Sequence, residues 1–401
     1  MDYPENNNNN SSNNGNKENY SENGNNNNSF SETAGDYGQH YTRQTPSQIY
    51  DTERNYGTSP QYHYGRHIPV ADYDYLAEQR RKNARRLRLR KEIKKSAYAP
   101  SLALLMFLAA SVLFSVILVF PKLHYLYSTT CTVSSAIGVL YSVLTVALPF
   151  YVIAVAKKKT GHKITVPFGK PETPKTQTVL LVFIGFGGAI IANIITNIID
   201  SFFGSFGVSA SYSSGIEPKN TAELLFMILG TAVIPPLVEE YAMRGVILEP
   251  LRKYGNSFAI IVSAILFGLF HGNFVQIPFA FMCGLLLGYA VCATNSIWTG
   301  VIIHALVNGF SCLQSALTLY LGINASDIIM NILTVLIMLI GIVALVIYIF
   351  LYRGTDKTLD RYSRSDDLTP AQKLGAFFTN PIMLATVVII FIEAFRGLSV
   401  S

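Results

Sequence analysis

Apolar residues in this chain neither alternate nor recur at every third or fourth position; over most of its length they fill long runs. Measured against the ~20 residues a helix needs to cross ~30 Å of hydrocarbon, these runs predict spans at 101–120, 133–156, 179–199, 222–248, 258–270, 274–294, 297–321, 328–352 and 382–395. The fifth and ninth are short enough to be broken, tilted or re-entrant. The expected fold is all-α, a polytopic transmembrane helical bundle of about 8–9 helices.

Polar positions dominate only at the start. Residues 1–75 open with asparagine runs at 6–10 and 25–28 and continue as a Tyr, Ser, Gly and Gln mixture with almost no aliphatic residues. Such a segment buries too little apolar area to offset the entropy of ordering, so a disordered N-terminal tail is expected, either a tyrosine-studded interaction arm or simply solvated. Residues 76–98 follow with ten Lys or Arg and read as a basic juxtamembrane helix. The remaining divisions are two N-terminal spans with a basic loop (99–178), a central core (179–321) and C-terminal spans (322–401).

Composition sharpens this picture. Charged residues are 14% of the 401, against roughly 25% in a soluble domain. Of the 56, 26 lie in residues 1–98 and 30 in the other 303, which excludes a soluble multidomain enzyme. The net charge of +6 divides into −6 over 1–75, +8 over 76–98 and +4 beyond. The basic cluster suits anionic lipid headgroups and the positive-inside rule better than RNA, so membrane lipids are the expected partner and nucleic acid is not. The rule puts the N-terminus in the cytosol. Loops agree by alternation: Lys157, Lys158, Lys159, Lys163, Lys170 and Lys175 follow the second span, Arg252 and Lys253 the fourth, and Arg353, Lys357, Arg361 and Arg364 the eighth. Opposite loops 121–132, 200–221 and 322–327 hold only two Lys or Arg between them, Lys122 and Lys219. Four scattered cysteines (Cys131, Cys283, Cys292, Cys312) form no C-x-x-C pair and read as packing residues.

Charge inside a span costs about 2.5–3.5 kcal/mol at mid-bilayer, so such residues mark a bundle interior or wet cavity. The fourth span holds Glu239, Glu240 and Arg244, just after Pro235 and Pro236, where a helix kinks or restarts. Residues four apart share a face, so Glu240 can pair with Arg244 while Glu239 points elsewhere. Phe267 and His271 in the fifth span, and His304 and Asn308 in the seventh, are further i, i+4 pairs. Helical rise puts Glu239, His304 and Asn308 ~12–18 Å from the cytosolic boundary, with His271 slightly deeper. A cavity open to the cytosol is expected. A buried glutamate can act as general base toward water, a histidine can share the proton, and a second histidine with an Asn amide can stabilise an oxyanion.

The motifs E-E-x-x-x-R (Glu239, Glu240, Arg244), F-x-x-x-H (Phe267, His271) and H-x-x-x-N (His304, Asn308), in this order on separate apolar helices, resemble the CAAX protease and bacteriocin-processing family over about residues 179–321. That family includes the type II CAAX prenyl endopeptidases, which remove the last three residues after a prenylated cysteine, and bacterial relatives linked with peptide processing, self-immunity or scaffolding. The resemblance implies an all-helical membrane bundle and a glutamic intramembrane peptidase. Its substrate would be a peptide or lipidated protein, and its location the bacterial plasma membrane. It also implies that Glu239 and His271 activate water, that His304 and Asn308 form the oxyanion site, and that Glu240, Arg244 and Phe267 support them. No cofactor is expected. The alternatives are a zinc peptidase using His271, His304 and Glu239, and a non-proteolytic scaffold or transporter. Neither a G-x-S-x-G nucleophile nor a G-x-G-D aspartyl pair occurs in the spans.

Overall fold

The long runs become helices because a segment in lipid must satisfy its own backbone polar groups. The computed structural model describes residues 70–159, 164–210, 216–352, 367–396 and 398–400. The tail expected over 1–75 lies outside them, except that helix α1 (Val70–Ser96) already begins at Val70. Lys163, Arg353, Lys357, Arg361 and Arg364 also lie outside the described residues.

After α1 come α2 (Tyr98–Ile117), α3 (Pro121–Thr129), α4 (Cys131–Tyr141), a π-helical turn (Ser142–Ala147), α5 (Leu148–Lys159) and α6 (Lys175–Gly204). The central element is one long helix with two π-helical stretches. It comprises α7 (Thr221–Ile228), a π turn (Leu229–Val233), α8 (Ile234–Glu240), a second π stretch (Tyr241–Leu248), α9 (Glu249–Leu251) and a 3-10 turn (Arg252–Tyr254). Then follow α10 (Asn256–Phe270), α11 (Gln276–Thr294), α12 (Ile297–Leu321), α13 (Ile323–Tyr352), α14 (Pro370–Phe378) and α15 (Pro381–Arg396).

Among the described residues seven helices are long and apolar enough to cross a membrane, eight if α14 and α15 count as one bent span. The two short runs account for the difference from nine. α10 has only 15 residues, and α14 meets α15 at 83°. Short strands β1 (Val208–Ala210) and β2 (Leu398–Val400) pair antiparallel, Ser209 opposite Ser399. That pairing decides the course of α15. Asn380, just before it, donates to the Lys94 carbonyl (2.9 Å) at the basic end, and β2, just after it, joins the far end of α6. The ninth run therefore traverses the bundle.

The core centres on α10, α11 and the π stretch after α8. Close helix approach depends on small residues, as in other membrane bundles. A Cβ on Gly187 of α6 would lie 2.7 Å from Gly341 Cα of α13, and one on Gly284 of α11 would lie 2.8 Å from Ala264 Cα of α10. All four cysteines are free and buried.

Candidate active site

The site starts from two prolines. Pro235 has no N–H to give the carbonyl four residues back, that of Thr231. Asn308 of α12 supplies the missing donor, Nδ2 to Thr231 O at 2.9 Å. The helix continues through the break by a π turn, Ile234 N–H bonding to Leu229 O. It thereby carries Glu239 and Glu240 into the bundle one turn later.

Glu240 and Arg244 are completely buried, and Arg244 Nη1 donates to Glu240 Oε1 at 2.9 Å. The same oxygen lies 3.0 Å from His304 Nδ1. Nη2 of Arg244 reaches the Gly284 carbonyl at 3.3 Å, and its guanidinium lies over the Phe267 ring at 4.6 Å. Gly300 makes room for this network: a Cβ there would sit 2.7 Å from Glu240 Oε2. Glu239, turned about 100° away, lines a cavity instead, with Oε2 3.9 Å from His304 Nε2. Oε2 of Glu239 is buried without a hydrogen-bond partner. His304 thus stands between a carboxylate locked to arginine and one that faces open space.

α10 is about 22 Å long at 1.5 Å per residue, short of the hydrocarbon thickness. His271 caps it, and Gly272 follows with φ +58°, a left-handed conformation that glycine adopts without strain. Irregular backbone at membrane depth is tolerated where it lines a cavity, and His271, Val275 and Gln276 line this one. His271 Nδ1 lies 2.8 Å from the Phe267 carbonyl, which only accepts, so Nδ1 carries hydrogen and Nε2 of the neutral ring keeps its lone pair. Phe267 wedges both imidazoles edge-on, its ring 5.0 Å from His271 and 5.7 Å from His304.

Glu239, Phe267, His271, His304 and Asn308 all border this cavity of about 780 Å³, whereas Glu240 and Arg244 lie behind it. Its direction is away from the basic loops, the side on which an opening was expected. From the buried site it runs to exposed Asn193, Asn197, Gln314, Asp327 and Asn331, at the end of the bundle away from the basic loops. The basic end is covered by 164–172. Trp298 Nε1 donates to Phe168 O (2.9 Å), Ser296 Oγ to Gly169 O (2.7 Å), and Ile297 N to Pro167 O (2.9 Å). Phe168 also stacks near Tyr241. Depth along a helix fixes the height of a group but not which gap between helices stays unfilled.

Arg252 needs a correction. Counted above as a loop charge, it is fully buried, with Nε on Asn256 Oδ1 (2.9 Å) and Nη1 on both Glu249 Oε2 (3.0 Å) and Asn295 Oδ1 (2.8 Å). The cavity-mouth residues Asn193/Asn197 and Asp327/Asn331 were not among the expected site residues, although both pairs carry the i, i+4 signal that singled out the others. Among the described residues no three His, Cys, Asp or Glu side chains are grouped as metal ligands.

Comparison with known proteins falls on this same region. Residues 221–310 match the model of the type II CAAX prenyl endopeptidase Rce1-like family. The membrane-embedded CAAX protease MroQ of Staphylococcus aureus (strain USA300) is 28% identical over 153 residues, covering 35% of this chain and 59% of that protein. The candidate membrane peptidase YdiL of Bacillus subtilis (strain 168) is 25% identical over 141 residues, 33% of this chain and 54% of its own length. The chain thus spans somewhat over half the length of these relatives. No solved structure matches it.

Proposed function

We propose that this integral membrane chain is an intramembrane endopeptidase of the glutamic type, acting on peptide or CAAX-like membrane-associated substrates, a reading supported by the match of residues 221–310 to the Rce1-like CAAX protease family. The observation that carries this reading is the division of labour between adjacent glutamates: Glu240 is held by Arg244 and His304, and Glu239 faces the cavity.

Glu239 takes a proton from water, with His271 Nε2 as the second acceptor that orients it, and the water oxygen adds to the substrate carbonyl. His304, seated by its Nδ1 contact with Glu240, turns Nε2 toward the oxyanion. Asn308 offers its remaining amide N–H. The proton held by Glu239 then passes to the leaving nitrogen as the C–N bond breaks, giving a carboxylic acid and an amine and returning Glu239 to its starting state. Basic residues at the α1 end and after α5 support a cytosolic N-terminus, and the bacterial relatives support a bacterial plasma membrane.

The test is cleavage of a peptide panel, prenylated and unprenylated, by purified protein in liposomes. Wild type is expected to cleave, and Glu239→Gln and His271→Ala to lose at least 100-fold in kcat, in line with loss of a general base, while keeping their thermal transition. Activity surviving Glu239→Gln overturns the glutamic mechanism. Loss on chelation with recovery by zinc favours the metal alternative, and absence of any cleavage favours a scaffold or transporter.

A further inference from the structure

The chemistry of the cavity wall restricts what can enter it. Among the described residues that line it are two carboxylates, Glu239 and Asp327, and no Lys or Arg. A CAAX-type substrate carries its terminal carboxylate three residues from the bond that is cleaved. Such a group would be drawn into a cavity whose fixed charges are acidic, with no cation among the lining residues to receive it, an arrangement that like-charge repulsion makes unfavourable. The amides at the mouth, Asn193, Asn197, Gln314 and Asn331, are on helices that otherwise present apolar residues to lipid. Polar groups within apolar helices as a rule turn to a bundle interior or a wet cavity rather than to hydrocarbon.

The spacing from mouth to centre is readable along α12. Ser326 Oγ donates to the Gln314 carbonyl at 3.1 Å, so the neighbouring Asp327 is level with Gln314. Ten residues separate Gln314 from His304, a rise of about 15 Å. An extended peptide covers that distance in about four or five residues.

Resting on the peptidase reading, we propose that the site takes an internal segment of a peptide entering at the face opposite the basic loops, and that Asp327 selects a Lys or Arg about four or five residues from the bond cleaved. A free carboxylate close to that bond is disfavoured. Asp327 is a specificity residue in this scheme and takes no part in the chemistry.

Binding can be separated from turnover by working in the Glu239→Gln background. Fluorescent peptides with an amidated C-terminus, carrying Lys, Ala or Glu at the fourth or fifth position on either side of the central bond, are titrated onto the full chain in nanodiscs. The lysine peptides are expected to bind about tenfold more tightly than the glutamate ones, as for a charge-assisted hydrogen bond. Asp327→Asn is expected to erase that preference and Asp327→Lys to reverse it. Equal binding of all peptides, binding of none, an unchanged preference in Asp327→Lys, or tighter binding of a free-carboxylate CAAX peptide overturns the inference. Selective binding without cleavage by wild type would instead count against the peptidase reading alone.

Discussion

At the scale of single residues, the site depends on two close fits. Gly300 is one of them, because any side chain there meets Glu240 Oε2 at 2.7 Å and Val291 Cγ2 at 2.8 Å. Gly300→Ala is expected to displace Glu240 from Arg244 and His304 and to lower kcat at least tenfold, checked by peptide cleavage alongside a thermal melt. Asn308 has a structural duty beside its proposed catalytic one, since it fills the donor place that Pro235 leaves open at Thr231. Asn308→Ala should cost about 1–3 kcal/mol by leaving that carbonyl unpaired. In a Pro235→Ala background, where residue 235 regains its N–H, the cost should shrink; a double-mutant cycle of unfolding in detergent measures the difference. The motif residues were legible because charge inside an apolar run is expensive and therefore conspicuous. Asp327 escaped notice because it sits where a span begins and reads as a loop residue, although Asn331 one turn on repeats the same spacing.

Among elements, the helices were legible and their irregularities only partly so. Pro235 and Pro236 announce a break, but nothing in the run Tyr241–Leu248 announces the π-helical stretch that carries buried Arg244. The bend between α14 and α15 follows from Pro381 after a helix that ends at Phe378, and was visible only as shortness of the ninth run. Arg252 is the instructive miss. A loop arginine and a buried arginine look alike in a string of letters, and the difference lies in Glu249, Asn256 and Asn295 converging on it. Asn295, left-handed at φ 50°, ends α11 at the place where its carboxamide reaches the guanidinium. Arg252→Ala should destabilise the protein by about 3–5 kcal/mol, since it strips a buried charge network of its centre. Arg252→Lys should recover only part of this, because one ammonium cannot replace a fork of donors. Both effects are measurable as shifts in the detergent unfolding midpoint.

For the whole molecule, the long apolar runs conveyed that the helices are long enough to cross a membrane, but not where the interior stays open. The cavity runs toward the neutral end because 164–172 fills the basic one, a packing outcome with no signature in hydropathy. The strand pair gives a check on this topology. Ser209→Cys combined with Ser399→Cys should form an oxidised cross-link in intact membranes, since the two positions are register partners. A membrane-impermeant thiol reagent added from outside should block it if the N-terminus is cytosolic. Absence of the cross-link would mean that α15 does not traverse the bundle. The same ribbon has a consequence in time. Val208 pairs with Val400, 192 positions later in the chain. At about 5–20 residues per second, the ribosome delivers the second strand roughly 10–40 s after the first. Throughout that interval α6, a wall of the cavity, is already made while its far end has no clasp, so the nascent bundle passes through an open-mouthed stage in which chaperones and proteases have their chance to act.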